Sequence, residues 1–197
     1  DGLDQINIGN ILRSNYFCNK YLNPNYNFTA NTGKTYRRFA IIRSAELYLT
    51  EAEALTEVGG GSNIAKAIEL VNKIRKRANV NPITESMLQN DVEIGRQDID
   101  TKIPVTSVQE ALRSRIRHER RIELSYENHS FWDVRRWMIA PYVSNGKMHK
   151  VYVDGKSGEI KYEVVQNRSF SDRGYLVPIP QIEIDKNNDI EQNPGWN

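Results

Sequence analysis

Apolar residues begin to recur at helical spacing at Ile41: Ile41, Ala45, Tyr48, Leu49, Ala52 and Leu55 form a stripe, and Glu46, Glu53 and Glu57 fall on the opposite side. The run GGGSN at 59–63 ends that pattern and offers Ser62 or Asn63 as the cap of the next helix. A second stripe follows in Ile64, Ala67, Ile68, Val71, Ile74 and Ala78. Two amphipathic helices joined by so short a loop fold back on each other, and their alanines permit close approach. Residues 41–79 are therefore expected to form an antiparallel helix pair that resembles one tetratricopeptide-type unit. The 1–38 segment before it has no period and many turn residues, so it reads as loop.

Residues 79–106 are polar, with Pro82 and Pro104 near the ends and five acidic residues between them, and are expected to be an exposed excursion. Ser107 followed by Glu110 is a capping box, so a long third helix should start at about Val108, within a helical region spanning 107–140. Farther on, Val151 and Val153 alternate against Ile160, Tyr162 and Val164 across Asp-Gly and Ser-Gly turn signals, which predicts a β-hairpin over 148–166. The segment 175–197 carries three prolines and is expected to be extended, with one helical turn around Ile182–Lys186. It must be tied down or it would fray.

Composition narrows the function classes. A chain of 197 residues with 39% hydrophobic residues fits one domain with a real core. The 27 basic residues against 25 acidic ones leave a net charge of +2, too balanced for an electrostatic nucleic-acid footprint. No window offers the ~18 to 20 apolar residues of a membrane-spanning helix. The N-terminus DGLDQINIGN has neither an initiator Met nor a signal-peptide pattern and reads as a mature or excised piece. Cys18 is the one cysteine, so no disulfide forms within the chain, and NYFCNK lacks the small residues that precede a lipid-modified cysteine.

The stretch ERRIELSYENHSFWDVRRW, 119–137, packs eight Asp, Glu and Arg residues among four aromatic ones. At 100° per residue, Val108, Leu112, Ile116, Ile122 and Tyr126 share a face with Arg115, Glu119 and Glu123. Glu119 should meet Arg115 one turn earlier, and Glu123 needs a cation from elsewhere, such as Arg43, Arg75, Arg135 or Arg136, because an unpaired buried carboxylate costs several kcal/mol. A glycosidase would need opposed carboxyls with substrate between them, and residues four apart on one helix sit on the same side. A di-metal site would need Glu-x-x-His, and neither His118 nor His129 has a Glu three residues before it. Asp91, Glu93, Asp98 and Asp100 form no EF-hand spacing and read as solvated loop. The reading is thus a structural ion network with no catalytic residue, no metal and no cofactor; Trp132 and Trp137 are read as core anchors among Phe131, Val134 and Met138.

Three separated runs, RRFAIIRSAELYLTEAEAL, ERRIELSYENHSFWDVRRW and YLVPIPQIEIDKNNDIEQNPGW, resemble in order the C-terminal part of the SusD/RagB family. NYFCNKYLNP is similar to the lysine-tyrosine segment that precedes the third-repeat region of that family. The family usually has Gly where Asn128 stands, Arg where Ser130 stands and Pro where Asn188 stands. The resemblance implies a mainly α-helical fold with tetratricopeptide-like helix pairs, irregular segments and a small β-hairpin, with 1–197 as one domain. It implies non-catalytic capture of glycan, or in some members peptide, at the cell surface. It also implies a SusC-like TonB-dependent transporter as partner, and an outer-membrane location through an N-terminal lipid anchor that this chain lacks.

Sugar rings present weakly apolar faces and many hydroxyls, so a capture surface wants aromatic platforms beside amide and cationic donors. In the N-terminal loop Tyr16, Tyr21, Tyr26, Phe28 and Tyr36 interleave with Asn15, Asn23, Asn25, Asn27 and Lys34. Tyr26 and Tyr36 are the candidate surface platforms, with Tyr16 and Tyr21 nearer the core. The competing readings are a helical-repeat module for protein partners, which a lone helix pair disfavours, and an enzyme, which the lack of a nucleophile or opposed acid pair disfavours.

Overall fold

The computed structural model describes residues 20–21, 40–153, 157–187 and 189–196. These fall into two compact units, one within 38–139 and the other made of the described remainder.

In the first unit, α1 (Ser44–Val58) and α2 (Gly61–Arg77) form the expected pair. Gly59 and Gly60 lie between them at φ 74° and 84°, two successive left-handed residues that reverse the chain at little cost only because neither has a Cβ. This tight reversal starts α2 at Gly61, so neither Ser62 nor Asn63 is the cap; Asn63 Nδ2 instead donates back to the Gly59 carbonyl at 2.7 Å. The apolar faces of Ala45, Leu49 and Ala52 and of Ala67, Leu70, Val71 and Ile74 are buried together. Ile41 and Tyr48, expected in the stripe, are exposed: Ile41 precedes the first helical residue, and Tyr48 sits at the edge of the stripe under the Lys73 ammonium, 5.4 Å from its ring centroid. Ala78, expected to close the second stripe, lies one residue past α2 and is also exposed.

The 79–106 segment is not merely an exposed excursion. It contains α3 (Glu85–Glu93), capped by Thr84 Oγ1, which accepts from the Met87 amide at 3.2 Å. Leu88 is fully buried, Ile83 and Val105 are buried with it, and Asn72 of α2 holds Ile83 by two 2.8 Å hydrogen bonds, one to its amide and one to its carbonyl. So few apolar residues among so many polar ones leave no period to read.

The capping box places α4 (Val108–Glu123) as expected, with Ser107 Oγ accepting from the Glu110 amide. α4 contributes Ala111, Leu112 and Ile116 to the core. From the same helix Gln109 Nε2 donates to the Thr56 carbonyl at 2.7 Å, satisfying an orphan acceptor at the end of α1. The helical region 107–140 is interrupted after α4: Tyr126 and Asn128 are both left-handed, at φ 65° and 64°, and α5 (His129–Arg136) begins after them. Ile122 and Tyr126, read as core, are exposed, while Arg120 and Leu124 of the same stretch are the residues turned inward.

In the second unit α6 (Ala140–Ser144) leads into an antiparallel hairpin of β1 (Gly146–Val153) and β2 (Ile160–Arg168). Val151 pairs with Tyr162 and Val153 with Ile160, and a bulge at Met148/His149 shifts the register. A 3-10 turn at Asp172–Tyr175 and the single-turn α7 (Gln181–Ile184) punctuate an otherwise extended C-terminal segment. Side-chain amides secure that segment. Gln192 bonds both the amide and the carbonyl of Ile179 at 2.9 Å, and Trp196 Nε1 donates to the Arg173 and Leu176 carbonyls at 3.0 Å.

Candidate functional site

The charged stretch is a seam between helices. Arg43, in extended conformation one residue before α1, donates to both Glu127 oxygens at 2.8 and 2.7 Å and also to Glu123. Arg77 donates to Glu123 from the end of α2 at 2.6 Å, and Arg75 Nη1 reaches Glu119 Oε2 at 2.6 Å. Burial works to raise the pKa of Glu123, but the hydrogen bonds from Arg43 and Arg77 outweigh it and hold the carboxyl below its ordinary range. The Arg43 guanidinium is raised in turn, chiefly by its hydrogen bond to Glu127.

The expected Arg115–Glu119 pair does not form. Arg115 turns to Asp91 of α3, donating at 2.7 and 2.9 Å, and Arg96 meets the same carboxylate. Asp91 is buried, and its two guanidiniums satisfy it where a solvated acid had been expected. Of the four cations expected to close the network, Arg43 reaches Glu123 and Arg75 reaches Glu119, whereas Arg136 pairs with Asp133 and Glu53, and Arg135 donates to the Phe131 carbonyl and lies 3.5 Å from that ring's centroid.

A second cluster sits at α5. Asp133, buried, accepts from Arg120 Nε at 2.7 Å and from Arg136 Nε at 2.9 Å. Arg136 also binds Glu53 of α1, whose Oε1 accepts from Trp137 Nε1 at 2.6 Å. Burial works to raise the Glu53 pKa, and the hydrogen bonds from Arg136 and Trp137 bring it below the ordinary value. Trp137 is thus an anchored residue, with the Arg117 and Arg136 guanidiniums 5.0 and 4.8 Å from its ring. Trp132 is not a core residue: it is 58% exposed and meets Phe131 edge to face at 4.9 Å. Phe131 and Met138 are exposed as well, because α5 turns Asp133 and Val134 inward.

These carboxylates face guanidiniums across helix boundaries, an arrangement that specifies docking and leaves none of them opposed across an open cleft. Among the described residues no group of three His, Cys, Asp or Glu side chains suits a metal, and no helix is long and apolar enough to cross a membrane.

Of the four tyrosines read as ligand-binding, Tyr16, Tyr26 and Tyr36 lie outside the described residues. Tyr21 is described: it is half-buried, left-handed at φ 64°, with the Lys20 ammonium 5.7 Å from its ring centroid. Sequence reasoning missed the wall formed by Arg113 and Arg117, four residues apart on α4. Their spacing was visible, but the loop they face had been read as solvent.

A model of the SusD family matches residues 4–196. SusD-like protein P2 of Formosa agariphila is 28% identical over 156 residues, which cover 79% of this chain and 25% of that protein. A solved SusD-like protein from Bacteroides fragilis is 33% identical with a TM-score of 0.61, over 79% of this chain and 25% of the other. Another solved structure, of the protein BT4246, is 25% identical with a TM-score of 0.62, over 82% of this chain and 24% of the other. The chain spans about a quarter of the length of these relatives.

Proposed function

Because the chain belongs to the SusD family, we propose that it is the C-terminal part of a non-catalytic surface protein that captures glycan and passes it to a SusC-like TonB-dependent transporter. The observation that carries this reading is the family match itself, which runs through both the helix pair and the Tyr- and Asn-rich segment that precedes it. The ion seam supports the non-catalytic half of the proposal. Glu119, Glu123, Glu127 and Asp133 each face one or more guanidiniums, so their charge is committed to holding α1, α2, α4 and α5 in register. Tyr26 and Tyr36 are the proposed stacking platforms, with Tyr16 and Tyr21 supporting them. The protein is placed by this proposal on the outer-membrane surface, held by a lipid anchor.

Isothermal titration against a glycan panel, with a peptide mixture as control, tests the reading. Heat from at least one oligosaccharide, reduced in Tyr26→Ala and Tyr36→Ala, is the expected result. Heat from peptides alone would shift the ligand class, and unchanged heats in both variants would remove the tyrosine assignment.

A further inference from the structure

The loop 98–106 and the first turns of α4 line an open cleft of about 290 Å³ that lies outside the ion seam. Glu110, Arg113 and Arg117 line it from α4, and Asp98, Thr101 and the exposed Ile103 line it from the loop. The two carboxylates are held by local donors. Asp98 Oδ1 accepts from the Thr101 amide at 2.7 Å and from Thr101 Oγ1 at 3.0 Å, and Glu110 Oε2 accepts from the Thr106 amide at 2.7 Å. Arg113 is engaged by Glu57 through Nε at 2.6 Å and Nη2 at 2.7 Å.

Arg117 differs from the arginines of the seam. Among the described residues it has no ion-pair partner, and its Nε is buried without a hydrogen-bond acceptor. Burial pushes its guanidinium down from the ordinary value, and neighbouring Arg113 adds to the effect. Asp98, Glu53 and Glu57 offset part of that charge's cost, and the donor left without an acceptor carries the rest. The Trp137 ring, its centroid 5.0 Å from the guanidinium, packs against it.

The charge balance decides what kind of ligand can supply an acceptor. Two guanidiniums and two carboxylates line the cleft, so an anionic ligand that satisfied Arg117 would meet Asp98 and Glu110 as like charges. A neutral polyol meets no such penalty: its hydroxyl oxygens accept from Arg117 while its hydroxyl protons go to carboxylate lone pairs, and the apolar rim covers a ring face. The volume lies at the low end of small-molecule sites, about 300 to 1,000 Å³, which suits one sugar residue. We propose that this cleft is a subsite for a single uncharged sugar residue, gripped between Arg117 and Asp98. It rests on the glycan-capture reading and adds to it a location outside the tyrosine-rich N-terminal segment.

The test titrates the chain with neutral mono- and disaccharides, and with glucuronate and inorganic sulfate as anionic arms. Calorimetric heat and indole fluorescence are followed together, since Trp137 lies against Arg117. Arg117→Met removes the donor; Ile103→Arg obstructs the mouth from an exposed loop position and guards against a folding artefact. A neutral saccharide should bind, each variant should weaken it about tenfold, the loss expected for a hydrogen bond to a charged group, and the anions should not compete. Wild-type affinity in both variants would overturn the subsite and leave glycan capture standing. Preferential binding of glucuronate or sulfate would overturn the assignment of an uncharged ligand. Absence of saccharide binding to the wild-type chain would remove the subsite and the capture reading together.

Discussion

Arg43 grips Glu127 through two parallel hydrogen bonds, Nε to Oε2 at 2.8 Å and Nη2 to Oε1 at 2.7 Å, although 84 residues separate them. The pair joins the residue that precedes α1 to the one that precedes left-handed Asn128, and so locks the start of the helix pair to the break between α4 and α5. Replacing Arg43 with Met leaves Glu127, whose side chain is 2% exposed, without either of these bonds. Stripping one partner from a buried pair costs about 3–5 kcal/mol. Urea unfolding of Arg43→Met should register a loss of that size, and a loss below 1 kcal/mol would show that the seam contributes little.

Acid should loosen the same seam. Glu123 and Glu53 both titrate below their ordinary value of 4.5 in the folded protein. The unfolded chain therefore binds protons first, so this stability is fully present above about pH 4.5 and is lost as pH falls through the lower folded values. Urea midpoints measured from pH 6 to pH 3 should decline mainly at the acid end, and Glu123→Gln should flatten part of the decline. A midpoint independent of pH over that interval would contradict the pairing.

The core is carried by few large side chains. Leu112 of α4 is fully buried, and Leu112→Ala should cost about 2–5 kcal/mol through lost transfer energy and the cavity left behind. Leu47→Ala on the outside of α1, where Leu47 is 59% exposed, should change stability by no more than about 0.5 kcal/mol. Chemical denaturation of the two variants side by side checks the assignment of the inward face.

Asn128 holds φ 64°, a region in which an ordinary Cβ costs about 1–2 kcal/mol. Asn128→Gly should fold at least as stably as the parent, whereas Asn128→Val should lose stability and disturb the docking of α5. Thermal melts of the two variants would reverse this order only if the break were not set by backbone conformation.

Much of the scaffold was legible because its signals are local. The α1 and α2 stripes, the Ser107–Glu110 box and the Val151/Tyr162 alternation each lie within one element, and the structure has those elements. The need for distant cations at Glu123 was legible too, since a carboxylate on an inward face demands one. The identity of the partners was less so: Glu119 chose Arg75 over Arg115 because buried Asp91 claims Arg115, and Asp91 sits on a helix with too few apolar residues to announce itself. The exposure of Tyr126 and Trp132 was hidden for a related reason. Helical periodicity continues through Tyr126 and Trp132 on paper, while two left-handed residues redirect the backbone and turn those rings to solvent. The cleft beside Arg117 depends on which residue fails to find a partner, and only three-dimensional proximity decides that.

Warming acts differently on the two materials from which the helical unit is built. Hydration of charged groups becomes less favourable as temperature rises, so the penalty for withdrawing Arg43, Glu123 and Glu127 from water shrinks, while the gain from hiding hydrocarbon levels off. The joint between the helix pair and the α4–α5 corner should accordingly hold a growing share of cohesion at the hot end of the melting curve, and be among the last connections to give way.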